Sequence, residues 1–395
     1  LVKAIFKTKL KMHAGKYDAR VLFAFIVLFI FLSVFIIMKS QNVEKDEQRN
    51  KHGNKTDISS EKLSEPQSLQ YYSIEKKING LLQKIHIIKI DLSQKEILIF
   101  PKLSFGKIFG YQVLSEIADS SNAYAAVNAG FFYVNGYPSG MVAKDGRLIT
   151  ASSGKYPVLL IKDDLCELKN ITTAVKVLVN HKYEVDVNLN PRENLQGYNL
   201  YTDDYGSKNR FRGENITAVV KNNVVERVYA TDGDSGIPKE GYIISASLSE
   251  NMSISKFAFK PGDSIKLITV PEFGENVQAY ECGTWLVKDG KNAAPDYDAW
   301  VGGLNTREPR TAVAIKDNRH IFFIVVDGRQ PSYSYGVTAK ELADIIIDLG
   351  CDNAAMLDGG ASSEMIVKGE IVNKPSFKGQ ERPLGGGIII KCKDK

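Results

Sequence analysis

The residues best placed to do chemistry are two aspartates that each follow an apolar, strand-like run. Residues 321–326 read IFFIVV and stop at Asp327-Gly328-Arg329. Residues 354–357 are also apolar and stop at Asp358-Gly359-Gly360-Ala361-Ser362-Ser363. Paired carboxylates serve as base, acid or nucleophile in hydrolysis. Consecutive glycines let backbone N–H groups approach an anion, and the hydroxyls that follow add donors. Three arginines stand beside turn residues: Arg310 in Pro309-Arg310-Thr311-Ala312, Arg329, and Arg382 in Glu381-Arg382-Pro383. A guanidinium is the bidentate partner of phosphate. The Gly-x-x-x-x-Gly-Lys pattern is missing, so a nucleoside triphosphate site has no support. The plain alternative is ordinary turn chemistry, in which Asp and Gly merely end strands and each arginine is surface charge.

These groups need elements to hold them. After the 321–326 run comes Thr338-Ala339-Lys340-Glu341, a capping box. Leu342, Ile345, Ile346 and Leu349 then keep helical spacing until Gly350. Strand, helix and strand predict a right-handed crossover with parallel strands. If the two strands are neighbours, Asp327 and Asp358 emerge at one carboxyl edge, where open sheets place ligands. Elsewhere a short unit recurs, an apolar run with a turn such as Asp-Gly or Asn-Asn inside it. It appears at 141–149, 219–228, 285–291, 314–326 and 366–372, and such turns suit hairpins. The spacing is not periodic, so hairpins are favoured over a true repeat. The expected class is α+β: a mixed sheet with many antiparallel hairpins and a strand–helix–strand unit carrying the site. Residues 164–270 lack dense motifs and read as an elaboration or subdomain. A short helix is expected within 111–120, followed by the strand AYAAV.

Charge and hydropathy divide the chain before that fold begins. Residues 1–20 carry Lys3, Lys7, Lys9, Lys11, Lys16 and Arg20 against Asp18. Residues 21–38 hold no charge and predict one transmembrane signal anchor. The basic tail at 1–20 stays cytoplasmic, which places the protein in the cell membrane as a single-pass chain with its C-terminal domain extracellular. Residues 39–70 are a polar, disordered stalk, and 71–395 form the folded domain. That tail accounts for the whole formal net charge of +5, so the exported part has no basic footprint for nucleic acid. The expected partners are a glycan or sugar-phosphate substrate and the membrane. Cys166, Cys282, Cys351 and Cys392 are widely spaced; outside the cell disulfides are permitted. His86, His181 and His320 form no ligand cluster, and packing is the favoured role of His86 and His320. No metal or other cofactor is indicated, although a divalent ion on Asp oxygens stays open.

Five stretches together resemble a known family. They are Asn128-Ala129-Gly130-Phe131-Phe132, Pro309-Arg310-Thr311-Ala312, Val326-Asp327-Gly328-Arg329, Leu357-Asp358-Gly359-Gly360-Ala361-Ser362-Ser363 and Glu381-Arg382-Pro383. Their order is similar to that of the phosphodiester glycosidase family, over residues 123–390. The chain departs at Ala129 and Ala361, where glycine is usual, and at Glu364, where a small residue or Thr is common. The resemblance implies an extracytoplasmic hydrolase that frees a sugar from a sugar-1-phosphodiester by cleavage on the sugar side. Cell-envelope or exopolysaccharide glycans are the implied substrates. Asp327 and Asp358 are the candidate catalytic carboxylates. Asn128, Gly130, Arg310, Thr311, Gly328, Arg329, Gly359, Gly360, Ser362, Ser363, Glu381 and Arg382 are the candidate substrate-binding residues. Phe131, Tyr133, Tyr333 and Tyr335 are candidate sugar-stacking rings. Two other classes stay open: a metal-dependent phosphodiesterase using Asp327, Asp358 and Asp352, and a non-catalytic envelope glycan-binding protein.

Overall fold

Apolar runs that face buried surroundings on both sides build the sheet on which the site rests. Its strands lie in the order Leu69–Ile78, Leu81–Asp91, His320–Val326, Arg310–Lys316, Asn353–Met356, Trp285–Lys288 and Lys291–Asn292. The structure, a computed structural model, describes residues 68–249 and 252–393. Side chains alternate across the central strands with period two. Ala312, Ala314, Phe322, Ile324 and Val326 pack on one face with Leu342, Ile345 and Ile346 of the helix Ala339–Asp348. Val313, Ile315, Ile321, Phe323 and Val325 pack on the other face into a separate core. Full burial of each Val, Leu, Ile or Phe among them contributes about 1.5–3 kcal/mol. The helix starts where the capping box predicts: the Thr338 hydroxyl accepts from the Glu341 amide, and the Glu341 carboxylate accepts from the Thr338 amide.

The crossover differs from expectation in one respect. Strands His320–Val326 and Asn353–Met356 are parallel but not neighbours, because Arg310–Lys316 lies between them, antiparallel to both. An antiparallel strand begins where its parallel flanks end. Arg310 pairs with Val326, and Ala312 pairs with Met356. The start of one strand and the ends of two others therefore share one edge.

From that edge the turn 358–364 carries the chain into a five-stranded sheet, in the order Glu370–Ile371, Met365–Val367, Ala125–Asn128, Gly386–Cys392 and Ile97–Leu103. The site thus lies where two sheets meet. A third sheet of five strands and a seven-stranded sheet complete the fold. The latter spans strands from Ala174–Val179 to Ile265–Val270 and shares an apolar core with the third sheet, through Ala143, Val158, Leu160 and Ala279. That sheet accounts for most of the expected elaboration.

All five expected hairpins form, with positive φ at Asp145-Gly146, Asn222-Asn223, Asp289-Gly290, Asp317-Asn318 and Lys368-Gly369. Paired left-handed residues match the strand twist. The class is nonetheless mostly β rather than α+β. Among the described residues the α-helices are Leu114–Asp119 and Ala339–Asp348, since sustained 3.6-residue spacing is confined to short stretches. The expected tail (1–20), span (21–38) and stalk as far as residue 67 lie outside the described residues. The first strand starts at Leu69, two residues before the expected fold boundary. Among the described residues no helix is long and apolar enough to cross a membrane. The four cysteines are unpaired, and Cys166, Cys282 and Cys351 are buried.

Candidate functional site

The shared edge opens into a cleft of about 230 Å³. Arg310, Arg329, Glu308, Asp358 and the Gly359-Gly360 turn form its polar wall, while Phe131, Val301 and Met356 form an apolar one. Strand pleating decides which side chains reach it. Arg310 continues the face of Ala312 and Ala314, and Asp358 continues that of Ala354 and Met356. Both therefore point to the helix-covered side. Asp327 follows Val325 and Phe323, which face the opposite core. A shift of one residue reverses the face.

Arg310 is 5% exposed, and no carboxylate lies within ion-pair distance of it among the described residues. Its guanidinium donates to the carbonyls of Val337 (3.2 Å), Thr306 (3.0 Å) and Leu304 (3.5 Å), and one nitrogen faces the Met356 sulfur at 3.8 Å. Burial pulls its pKa down, Glu308 opposes that, and Arg329 adds to it. A buried cation without a counter-ion is costly, and an anion in the cleft would remove that cost. Arg329 is exposed and bonds Glu308, which aims it across the same cleft.

Asp358 closes the floor. It is open toward the cleft and packed on its other sides. Enclosure lifts its carboxyl to about 6, against the lowering effects of the Ser362 hydroxyl, Arg382 and the Gly359 amide. The motifs meet behind it. Ser362 donates to Asp358 Oδ2 at 2.6 Å, and Arg382 donates to the Ser362 hydroxyl at 2.7 Å. Asn128 is fully buried and donates to the Asp358 carbonyl at 2.7 Å. Its Oδ1 accepts from the Thr311 hydroxyl (2.9 Å) and the Glu364 amide (3.1 Å). One side chain thus ties three of the sequence motifs together.

Several expected substrate contacts prove to be supports in this arrangement. Asn128, Thr311, Ser362 and Ser363 are buried, and Arg382 braces Ser362. The Gly360 amide donates to the Pro309 carbonyl at 2.7 Å, and the Ser362 and Ser363 amides bond within the turn. The Gly360, Ser362 and Ser363 amides of the expected cradle are therefore used by the loop itself, while the Arg310 and Arg329 guanidinium groups reach the cleft. Gly130 and Gly328 permit close backbone passage: a Cβ at Gly130 would meet the Glu281 carbonyl at 2.7 Å, and one at Gly328 the Pro309 nitrogen at 2.7 Å.

Asp327 is 1% exposed and does not line the cleft. Its carboxylate accepts from Asn373 (2.9 Å), the Lys374 amide (3.1 Å) and the Tyr333 hydroxyl (3.1 Å), and it contacts His86 Nε2 at 3.1 Å. Every lone pair is in use. His86 also bonds Tyr71 at 3.0 Å, so its role is more than packing. Tyr333 is committed to this network, and Tyr335 does not line the cleft either. Asp352 sits at the entry to the strand Asn353–Met356, the opposite end from Asp358, where it accepts from the Asp317 amide at 3.0 Å. The three-aspartate metal arrangement does not form. Among the described residues no group of three potential ligands gathers.

Glu381 leaves the cleft to its neighbours and bonds Ser115 through both carboxylate oxygens (2.8 and 2.6 Å), holding the start of the helix Leu114–Asp119. Close by, Glu364 is buried with neither carboxyl oxygen in good hydrogen-bonding geometry. Burial and the nearby Glu381 push its pKa to about 9. The folded state therefore keeps a proton that the unfolded chain loses near pH 4.5. The resulting stability is complete below that pH and is lost as pH rises through about 9. Replacing Glu364 by Gln should stabilise the fold at pH 7 by on the order of 1 kcal/mol or more, and the melting temperature should rise accordingly. The gap over wild type should grow from pH 5 to pH 9 in thermal melts; a gap independent of pH would contradict the shared burial.

A family model described as phosphodiester glycosidase matches residues 214–391. The chain carries a phosphodiester glycosidase family domain. All the expected site residues except Asn128 and Gly130 lie within that match. A Bacillus subtilis relative, the SPbeta prophage-derived uncharacterized protein YomE, is 35% identical over 116 residues, 29% of this chain and 18% of its own. A hypothetical protein from Synechocystis has a similar fold, with a TM-score of 0.68 and 19% identity over 82% of this chain and 62% of that one. A candidate exported protein from Burkholderia pseudomallei gives a TM-score of 0.64 and 21% identity, covering 79% and 74%. The chain thus spans less than two thirds of YomE and of the Synechocystis protein. Glu308, Val301, Thr306 and Met356 line the cleft without having been singled out from the sequence. Glu308 lies two residues before Arg310 in the charged stretch Arg307-Glu308-Pro309-Arg310, and only the strand register sets it apart from surface charge.

Proposed function

We propose that the phosphodiester glycosidase family domain is an extracytoplasmic hydrolase that cleaves a sugar-1-phosphodiester on the sugar side, within cell-envelope or exopolysaccharide glycans. The observation that carries this reading is Arg310, a buried guanidinium without a carboxylate partner, facing the same cleft as Asp358. Arg310 and Arg329 hold the phosphate. Asp358, ionised above about pH 6, accepts a proton from water as the water attacks the anomeric carbon. The C1–O bond breaks and its electron pair leaves with the phosphate monoester. The guanidinium groups stabilise the charge that develops there. A phosphate monoester is already a good leaving group, which fits a cleft whose second carboxylate, Glu308, is occupied by Arg329. Export is supported by the Burkholderia pseudomallei structural relative and by the uncharged stretch at 21–38.

The clamp is tested by product inhibition. Replacing Arg310 by Lys keeps the charge and loses the planar fork. The inhibition constant of a simple phosphate monoester should rise at least tenfold, in line with about 1.5–3 kcal/mol for charged hydrogen bonds. Unchanged inhibition in a variant that melts normally would remove Arg310 from the clamp.

A further inference from the structure

The cleft does not end at Phe131. Its apolar wall continues onto the short hairpin Tyr297–Asp298 and Gly302–Gly303, which presents Trp300 and Val301. The Trp300 ring lies 6.3 Å from Phe131 and 4.7 Å edge-on from Tyr133. Trp300 is 36% exposed despite its size. Its loop is held rather than loose: Asp298, 6% exposed, accepts from the amides of Trp300 (2.8 Å) and Val301 (3.3 Å) and from the Tyr156 hydroxyl (3.3 Å). The exposed Arg192 lies over the Tyr133 ring at 4.2 Å from its centroid and pairs with Glu193. A cleft rim therefore carries a rigid, open aromatic ring and, one ring further, a cation.

We propose that this ridge is a second subsite of the cleft, for the next unit of an anionic glycan whose sugars are joined by phosphodiesters. A pyranose ring stacks on Trp300, and the following phosphate meets Arg192. The inference rests on the reading of the cleft as a sugar-1-phosphodiester site and adds that the substrate is a chain rather than a single linkage. Spacing supports it. A sugar phosphate unit extends several ångströms, comparable to the step from Phe131 through Trp300 to Tyr133. Aromatic faces suit sugar C–H edges, and Arg192, whose Nη2 pairs with Glu193, keeps Nη1 and Nε for phosphate.

The test is calorimetric binding to protein carrying Asp358→Asn, so that turnover is slow during the measurement. Three synthetic ligands are compared: a one-unit hexose-1-phosphate methyl diester, a three-unit phosphodiester-linked oligomer, and a neutral trisaccharide. The three-unit ligand should bind more tightly than the one-unit ligand. Adding Trp300→Ala should cut that ratio about tenfold, and Arg192→Ala should cut it for the phosphorylated oligomer but not raise binding of the neutral one. Equal losses for one and three units, or none for either, would overturn the subsite. Failure of the one-unit ligand to bind would instead overturn the reading of the cleft, and the two failures are distinguishable. A neutral trisaccharide that binds as tightly as the charged oligomer would also overturn the proposal.

Discussion

Replacing Asp358 by Asn should lower the hydrolytic rate on the order of 100-fold or more while the domain melts at or above the wild-type temperature. The two effects have one origin. Enclosure at the cleft floor lifts the carboxyl to about 6, so its ionisation works against folding. Its folded pKa lies above the unfolded value. The associated stability is present below about pH 4 and is lost as pH rises through about 6. Asn removes that dependence and keeps the shape, including a partner for the Ser362 hydroxyl. In wild type, kcat/KM should rise along an acid limb near pH 6 as the carboxylate forms. A limb falling with pH there would assign Asp358 as the acid instead. Loss of a folded-state function together with unchanged or higher stability is what a strained functional group predicts.

The neighbouring motif should behave in the opposite way. Asp327 accepts from Asn373, Lys374 and Tyr333 and touches His86. With Asn at 327, one carboxylate oxygen becomes an NH2 group that must face donors in a site only 1% exposed. A buried donor without an acceptor costs about 1–3 kcal/mol, and more where a charge was involved. The network also pins the segment at 373–374 against the sheet end, so the melting temperature should fall by several degrees in a thermal scan. Any residual folded protein should keep much of its rate. A variant with wild-type stability and a rate reduced as far as that of the Asp358 variant would return Asp327 to the chemistry.

This contrast marks the limit of what sequence reasoning reached. The turn signals, the capping box at Thr338 and the five hairpins could be read because each depends on residues close in sequence. The common edge of Asp327 and Asp358 was also legible, from the handedness of a strand–helix–strand unit. Two long-range facts were not. Nothing local says that Arg310–Lys316 inserts between the parallel strands: the hairpin sets Arg310 beside Val326, but the insertion is what sets it beside the strand that leads to Asp358. The pleat phase was hidden as well. Asp327 follows its last paired residue, Val326, by one position, whereas Asp358 lies two positions beyond Met356. Only when the helix is known to cover the face of Ala312 and Met356 does that difference separate a cleft residue from a buried brace.

The role of Asn128 shows the same limit from another side. Its motif stood out in sequence, but three of its side-chain contacts join the segments carrying Asp358, Thr311 and Glu364 across more than 180 positions. A motif of this kind is readable as important and unreadable as structural, because the partners are all distant. The Gly-Gly turn shows the limit at short range. Glycines permit an anion cradle, yet here the amide of Gly360 is taken by Pro309, its neighbour across the strand pair.

The central claim is that the bond broken lies between the anomeric carbon and the phosphate oxygen, with Asp358 and the arginine clamp on either side of it. Hydrolysis of a sugar-1-phosphodiester in oxygen-18 water tests this most directly, with both products weighed by mass spectrometry. The account predicts one heavy oxygen in the released sugar and none in the phosphate monoester. Heavy oxygen in the phosphate would mean attack at phosphorus, and would contradict it.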